Sequence, residues 1–346
     1  MRALWVVRTS MSRREKLDKM LMTAEKLNQN TLLVQVNARG EAYYDSEILP
    51  RVADIEKGLD PLGYVCQRGK ELGMKIQAWI NTFTVGEFNS SPETTGHVLG
   101  KHPDWVMFDD EGRSLLEFPR EKADVNLPTP MLDPGLPEVR EFLESIYREV
   151  AREYPVDGVH LDYIRYPGKK YGYNPGSVEK FKQEKGLDPF KLSNSEEEGI
   201  WDNWRRDRVT ELLANIYSGV KEENPECLVT SAVYPDVSDA AYNRMQNWPH
   251  WLERGLLDQI MPMAYSTSEE EVKQQIKKAL EISGKTPVIA GLGAYRMLED
   301  SRRLERIIRQ VQKIGADGTA LFSYDTLVTK PELVEFLSRN VFKEEL

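Results

Sequence analysis

The sequence predicts an α/β fold, an eight-stranded parallel β/α barrel of the TIM type, on three observations. Eight short apolar runs punctuate the 346 residues, helical patterns follow most of them, and no glycine-rich phosphate loop follows the first. Strands alternating with helices require a parallel sheet, and eight such units favour its closure. A doubly wound nucleotide-binding sheet would place glycines after its first strand, where this chain has Thr9-Ser10-Met11-Ser12.

The runs are 3–8, 32–37, 75–80, 156–162, 228–233, 259–264, 287–291 and 319–324. The first, Ala3-Leu4-Trp5-Val6-Val7, is too short for the apolar part of a signal peptide and reads as a strand. In the second, Gln35, Asn37 and Arg39 share one face and Val34 and Val36 the other. The third sets Gln77, Trp79 and Asn81 against Ile76, Ala78 and Ile80, and the fourth sets Gly158, His160 and Asp162 against Val159 and Leu161. Three strands thus present polar groups to a common lumen. The first, fifth, seventh and eighth runs are mixed on both faces, and no facing follows for them. Apolar residues at helical spacing predict a helix from Pro137 to about 150 and another over about 204–222. Two long connections, about 81–133 and 167–199, leave the C-terminal ends of strands and should wall a cleft. The first holds an expected hairpin, 105–108 with 114–118, around Asp109-Asp110-Glu111-Gly112. The whole chain, 1–346, is expected to be one barrel domain.

A net charge of −10 with a pI near 5.2 argues against nucleic acid as partner, because phosphate binding needs a basic surface. No apolar run approaches the about 18 residues that span a bilayer, so no integral membrane segment is expected. Cys66 and Cys227 lie far apart and should be buried and structural. The four histidines, His97, His102, His160 and His250, show no metal-binding spacing, and no metal or other cofactor is expected. No leader is visible, which points to the cytoplasm unless one was removed from a secreted or periplasmic protein.

The chemistry concentrates in residues 156–167, where an apolar strand ends in Asp162 amid Tyr163, Arg165 and Tyr166. A carboxylate at the C-terminal end of a barrel strand sits at the mouth, where such barrels place their active sites. Glycoside hydrolysis needs two carboxyl groups, one to protonate the leaving oxygen and one as nucleophile or base. The second is sought among Glu41, Asp236 and Asp325, with Glu41 and Asp236 favoured. Asn37, Arg39, Trp79, Asn81, His160, Arg165, Tyr166, Tyr234, Tyr265 and Tyr324 are the candidate sugar ligands. Tyr163, Tyr171, Tyr173, Trp248 and Tyr295 add rings near the same rim, suited to stacking on pyranoses or to the core. A carbohydrate-binding barrel without turnover is one alternative. A lyase or aldolase acting on a phosphorylated metabolite is another, for which Gly291-Leu292-Gly293-Ala294 gives a faint phosphate-loop echo.

The chain also resembles the glycosyl-hydrolase-like family 10 group of bacterial β/α barrels. The resemblance rests on Ala3-Leu4-Trp5-Val6, on 30–36 with Arg39-Gly40-Glu41-Ala42-Tyr43-Tyr44, on 72–81, and on His102-Pro103-Asp104-Trp105. It continues through 132–140, the Asp162 segment, Trp204-Arg205-Arg206 and Phe322-Ser323-Tyr324. It implies hydrolysis of a glycan, with bacterial cell-wall strands among the polysaccharides, and often an export signal. The chain departs from the pattern in showing no leader, in Glu41 where Asp is expected, and in Asp325 where Asn or Glu is more usual.

Overall fold

The computed structural model describes residues 1–86, 96–117 and 129–343. All eight apolar runs form strands, with ends shifted by at most two residues: β1 (Arg2–Val6), β2 (Thr31–Asn37), β3 (Lys75–Asn81), β4 (Gly158–Asp162), β5 (Leu228–Val233), β6 (Gln259–Pro262), β7 (Ile289–Leu292) and β8 (Gly318–Phe322). They pair in parallel in the order β6-β5-β4-β3-β2-β1-β8-β7. Bridges from Ile260 to Val288 and from Met263 to Gly291 join the two ends, so the barrel is nearly closed. Around it lie α1 (Arg14–Lys26), α2 (Pro61–Glu71), α3 (Val98–Lys101), α4 (Pro137–Glu153), α5 (Pro175–Lys185), α6 (Ser195–Glu223), α7 (Trp248–Glu253), α8 (Glu269–Ser283), α9 (Ser301–Lys313), α10 (Tyr324–Leu327) and α11 (Pro331–Asn340).

Alternation divides the apolar residues into two layers. Leu4, Val6, Val34, Val36, Ile76, Ala78, Val159 and Leu161 point outward and pack with Leu17, Leu62, Val139 and Leu143 of the helices. Ala3, Trp5, Leu33, Trp79, Met261, Ile289 and Ala320 fill the interior. The interior is therefore partly apolar on the β1, β7 and β8 side, which is why those runs showed no polar face.

Helix α4 forms where Pro137 and the apolar spacing place it, with Val139, Leu143, Ile146, Tyr147 and Val150 buried. Helix α6 begins nine residues before the expected Trp204. Asn194 caps it, its Oδ1 accepting from Glu197 N at 3.0 Å, and Glu196, Glu197 and Glu198 occupy the first turn, where free N–H groups favour negative charge. The connection 167–199 is consequently not extended: it contains α5 and the first turn of α6. Phe181 of α5 packs against the stacked pair Trp201 and Trp204, whose centroids lie 5.3 Å apart.

The expected hairpin exists in reduced form. Phe108 bridges Ser114, Leu115 N donates to Met107 O at 3.0 Å, and Gly112 closes the turn on Asp109 O. Trp105 and Leu115 to Glu117 lie in 3₁₀ turns rather than strands, and Phe118 falls outside the described residues. Cys66 and Cys227 are free and buried, and burial pushes both thiols up to about 12. Among the described residues, no helix is long and apolar enough to cross a membrane, and no cluster of His, Cys, Asp and Glu is placed to hold a metal.

Candidate active site

Asp162 is the last residue of β4, in register with Asn81 of β3. The next residue, Tyr163, has φ +51°, in the left-handed region that costs a residue with a Cβ about 1–2 kcal/mol. That reversal turns its own N–H onto Asp162 Oδ1 at 2.7 Å, and Arg165 Nη1 donates to the same oxygen at 3.4 Å. No donor reaches Oδ2 among the described residues. The Arg165 guanidinium lies 4.4 Å from the Tyr163 ring centroid and 4.9 Å from that of Tyr234, while Arg244 stands 4.3 Å from the same Tyr234 ring. The rings hold the cation in place, and the cation balances a carboxylate whose side chain is only 12% exposed.

Facing this pair is an aromatic platform. Tyr265 and Phe322 stack with centroids 5.6 Å apart, Trp5 and Trp79 meet Phe322 edge-on from the interior, and the exposed Tyr295 meets both Tyr265 and Phe322 edge-on. Burial and then the charge of Asp162 push the hydroxyls of Tyr265 and Tyr163 above the usual tyrosine range, so both remain protonated donors at neutral pH. Gly291 and Gly293 make room for these rings. A Cβ at Gly291 would stand 3.0 Å from Trp5 Cη2 and 2.8 Å from Pro262 O, and one at Gly293 would stand 3.1 Å from Tyr265 Cβ.

Beneath the mouth the lumen is closed by a chain of hydrogen bonds. Thr230 Oγ1 donates to Gln77 Oε1 at 2.8 Å, so the hydrogen between Thr230 and His160 Nδ1, also at 2.8 Å, belongs to the imidazole. His160 Nε2 then accepts from Trp5 Nε1 at 3.2 Å. Burial drives the His160 pKa down to about 3, and the ring is neutral. A second chain crosses nearer the surface, from Arg8 N to Gln35 Oε1 and from Gln35 Nε2 to Asn81 Oδ1.

The three further carboxylates have different surroundings. Glu41 is half-buried in the loop after β2, where its charge acts with those of Arg8 and Arg39 on the Tyr43 hydroxyl. Asp236 is exposed, and its Oδ1 accepts from Asp239 N at 2.7 Å as the cap of a short helical turn. Asp325 accepts from Val7 N at 2.7 Å and from the hydroxyls of Ser10 and Thr9, tying α10 to the segment after β1.

Gly40 sets the loop that carries Glu41. Its φ is +76°, and an added Cβ would lie 2.9 Å from His97 Nε2, which bonds Arg39 O at 2.7 Å. Gly40→Ala is expected to lower stability by about 1–2 kcal/mol in urea unfolding, from the left-handed backbone and the displaced imidazole. An unchanged midpoint would mean that this loop relaxes freely.

The structure thus brings Asp162, Arg165, Tyr234, Tyr265 and Asn81 to one mouth, with Trp79 in its floor and Arg39 half-buried on the β2 side. His160 lies fully buried under the floor with both nitrogens engaged. Asn37 is buried, and its Oδ1 accepts from Gly40 N, bracing its own turn. Tyr166 is fully buried, and its hydroxyl donates to Asp133 Oδ1 at 3.4 Å. Tyr324 is 3% exposed and borders α1 through Thr23. Sequence reasoning gave no role to Trp5 or Phe322; Trp5 alternates with Leu4 and Val6, the only signal that it points inward.

The fold is that of glycoside-hydrolase barrels. The PgaB (BpsB) glycoside hydrolase domain of Bordetella bronchiseptica superposes with a TM-score of 0.75 at 17% identity, covering 97% of each chain. An α-L-fucosidase isoenzyme from Paenibacillus thiaminolyticus gives 0.69 at 16% identity over 98% of this chain and 49% of that one. The family profile described as glycosyl hydrolase-like 10 matches residues 1–301, and the chain belongs to that family. The glycosyl hydrolase DigH of Escherichia coli K12 is 28% identical over 317 residues, covering 80% of this chain and 65% of DigH. YngK of Bacillus subtilis is 27% identical over 270 residues, covering 71% of this chain and 48% of YngK. The chain therefore spans 65% of the length of DigH and 48% of that of YngK, about half to two-thirds of these curated relatives.

Proposed function

We propose that the protein hydrolyses glycosidic bonds in a polysaccharide, bacterial cell-wall glycan being the first to test, with Asp162 as nucleophile or as base for water. The observation that carries this reading is Asp162 itself, held through Oδ1, with no donor on Oδ2 among the described residues, and near enough to Tyr265 of the platform for its charge to act on that hydroxyl. Glu41 is the proposed proton donor, half-buried in the loop that leaves the C-terminal end of β2, the end at which such barrels carry their chemistry. The test is release of reducing ends from peptide-free cell-wall glycan and a panel of neutral polysaccharides. Glu41→Gln is expected to lose on the order of 10²-fold on such glycans and far less on aryl glycosides, whose leaving groups need no proton. Equal losses on both would remove Glu41 from that role. The engagement of Asp236 and Asp325 favours, as second reading, a barrel that binds glycan without cleaving it; binding with no release from any polysaccharide would select it.

A further inference from the structure

The excursion between β4 and β5 carries a cleft that the mouth does not use. It has a volume of about 320 Å³ and is lined by Asp110, Tyr173, Phe190, Trp201, Asp202 and Arg205, among others. Phe190 is 49% exposed, and its centroid lies 5.1 Å from that of the half-buried Tyr173, which rests in turn on Trp201 at 5.4 Å. The half-exposed Phe190 ring beside Tyr173 offers the cleft an apolar face on which the face of a sugar ring can stack.

The polar groups point the same way. Trp201 and Arg205 are 2% and 1% exposed, yet among the described residues Trp201 Nε1 and Arg205 Nε have no acceptor. Arg205 Nη1 donates to the carbonyls of Lys169 and Tyr171, and Nη2 donates to Asp202 Oδ1 at 2.7 Å. Both side chains line the cleft, and an oxygen of a bound molecule that reached either donor would satisfy it. The charges there offset one another, Asp110, Glu198 and Asp202 against Lys169, Lys170 and Arg205, which favours a neutral ligand over an ion.

We propose that this cleft is an accessory glycan-binding site in which a neutral pyranose unit stacks on Phe190 and Tyr173, apart from the bond-cleaving mouth. It rests on the reading of the protein as a glycan-acting enzyme and adds to it a second hold on the polymer. The wall that forms it is tied to the mouth's other long loop by the Asp109–Tyr171 bridge and by Gly172 N donating to Phe108 O at 3.0 Å, so both loops shape one continuous rim.

The test uses the full chain carrying Asp162→Asn, titrated with cello-, xylo-, malto- and chitohexaose and with peptide-free cell-wall glycan fragments, with binding followed by tryptophan fluorescence and by calorimetry. Adding Phe190→Ala is expected to weaken binding of the accepted saccharide about three- to tenfold, and Phe190→Tyr to restore it. Affinity equal in the presence and absence of the Phe190 ring, for every saccharide that binds, would overturn the accessory site and leave the catalytic reading intact. Failure of every saccharide to bind would overturn both.

Discussion

Replacing Asp162 with asparagine is expected to reduce release of reducing ends by a factor on the order of 10⁴ while the protein stays folded and keeps its affinity for glycan. Losses of that size follow removal of a group that forms or activates the attacking bond, because the residual rate comes only from binding and the surrounding dipoles. The substitution is conservative for the fold. An amide oxygen still accepts from Tyr163 N, and Arg165 remains between the rings of Tyr163 and Tyr234. Thermal unfolding should therefore move by a few degrees at most, since Asp162 contributes charge and geometry rather than packing. The measurement is the rate of release alongside calorimetric binding. Unchanged turnover would take Asp162 out of the chemistry, and lost turnover with lost binding would make it a ligand of the sugar instead.

The second large effect concerns acid stability. His160 is neutral in the native barrel with a pKa near 3, while its ordinary value is 6.5. Below 6.5 the unfolded chain gains a proton that the native state refuses, so stability falls as pH falls, by up to about 1.4 kcal/mol per unit, until the native imidazole also titrates near 3. Asp133, whose carboxyl is raised by burial, contributes with the opposite sign, because the native state keeps its proton longer. Comparison with His160→Gln isolates the histidine, since glutamine accepts and donates hydrogen bonds but does not titrate. Between pH 7 and pH 5 the parent is expected to lose about 2 kcal/mol more than the variant in urea unfolding. Parallel slopes would mean that water or a local opening reaches the ring.

Much of this architecture was legible because backbone periodicity is legible. Strands β2, β3 and β4 alternate polar with apolar side chains, and the lumen assigned to Gln35, Gln77, Trp79 and His160 is where they stand. Strands β1 and β8 hid their facing because the interior they meet is itself apolar, so Ala3 and Trp5 differ little in character from Leu4 and Val6. The platform residue Phe322 was lost for the same reason. Tyr166 and Tyr324 were placed at the rim because a tyrosine ring suits both a sugar and a core, and only packing separates the two. Helix α5 buries only Ser177, Val178 and Phe181 beyond its turn, too few for a helical period to show. The pairing of Asp162 with a second carboxylate depends on a distance through space, and side-chain order along the chain does not encode it.

The hydrogen-bonded histidine below the mouth has one more consequence. His160 of β4 bonds Trp5 of β1 and Thr230 of β5, and Thr230 passes the chain on to Gln77 of β3, so one imidazole ties its own stave to two others directly and to a third through Thr230. Asp162 stands two residues above it on the same stave. A slip of β4 by one residue would exchange His160 for a leucine or a valine and break both bonds of the imidazole, so the height of the carboxylate is gauged from below, not by the loops above it. The long excursions after β3 and β4 are thereby free to change in length and sequence while the carboxylate keeps its address.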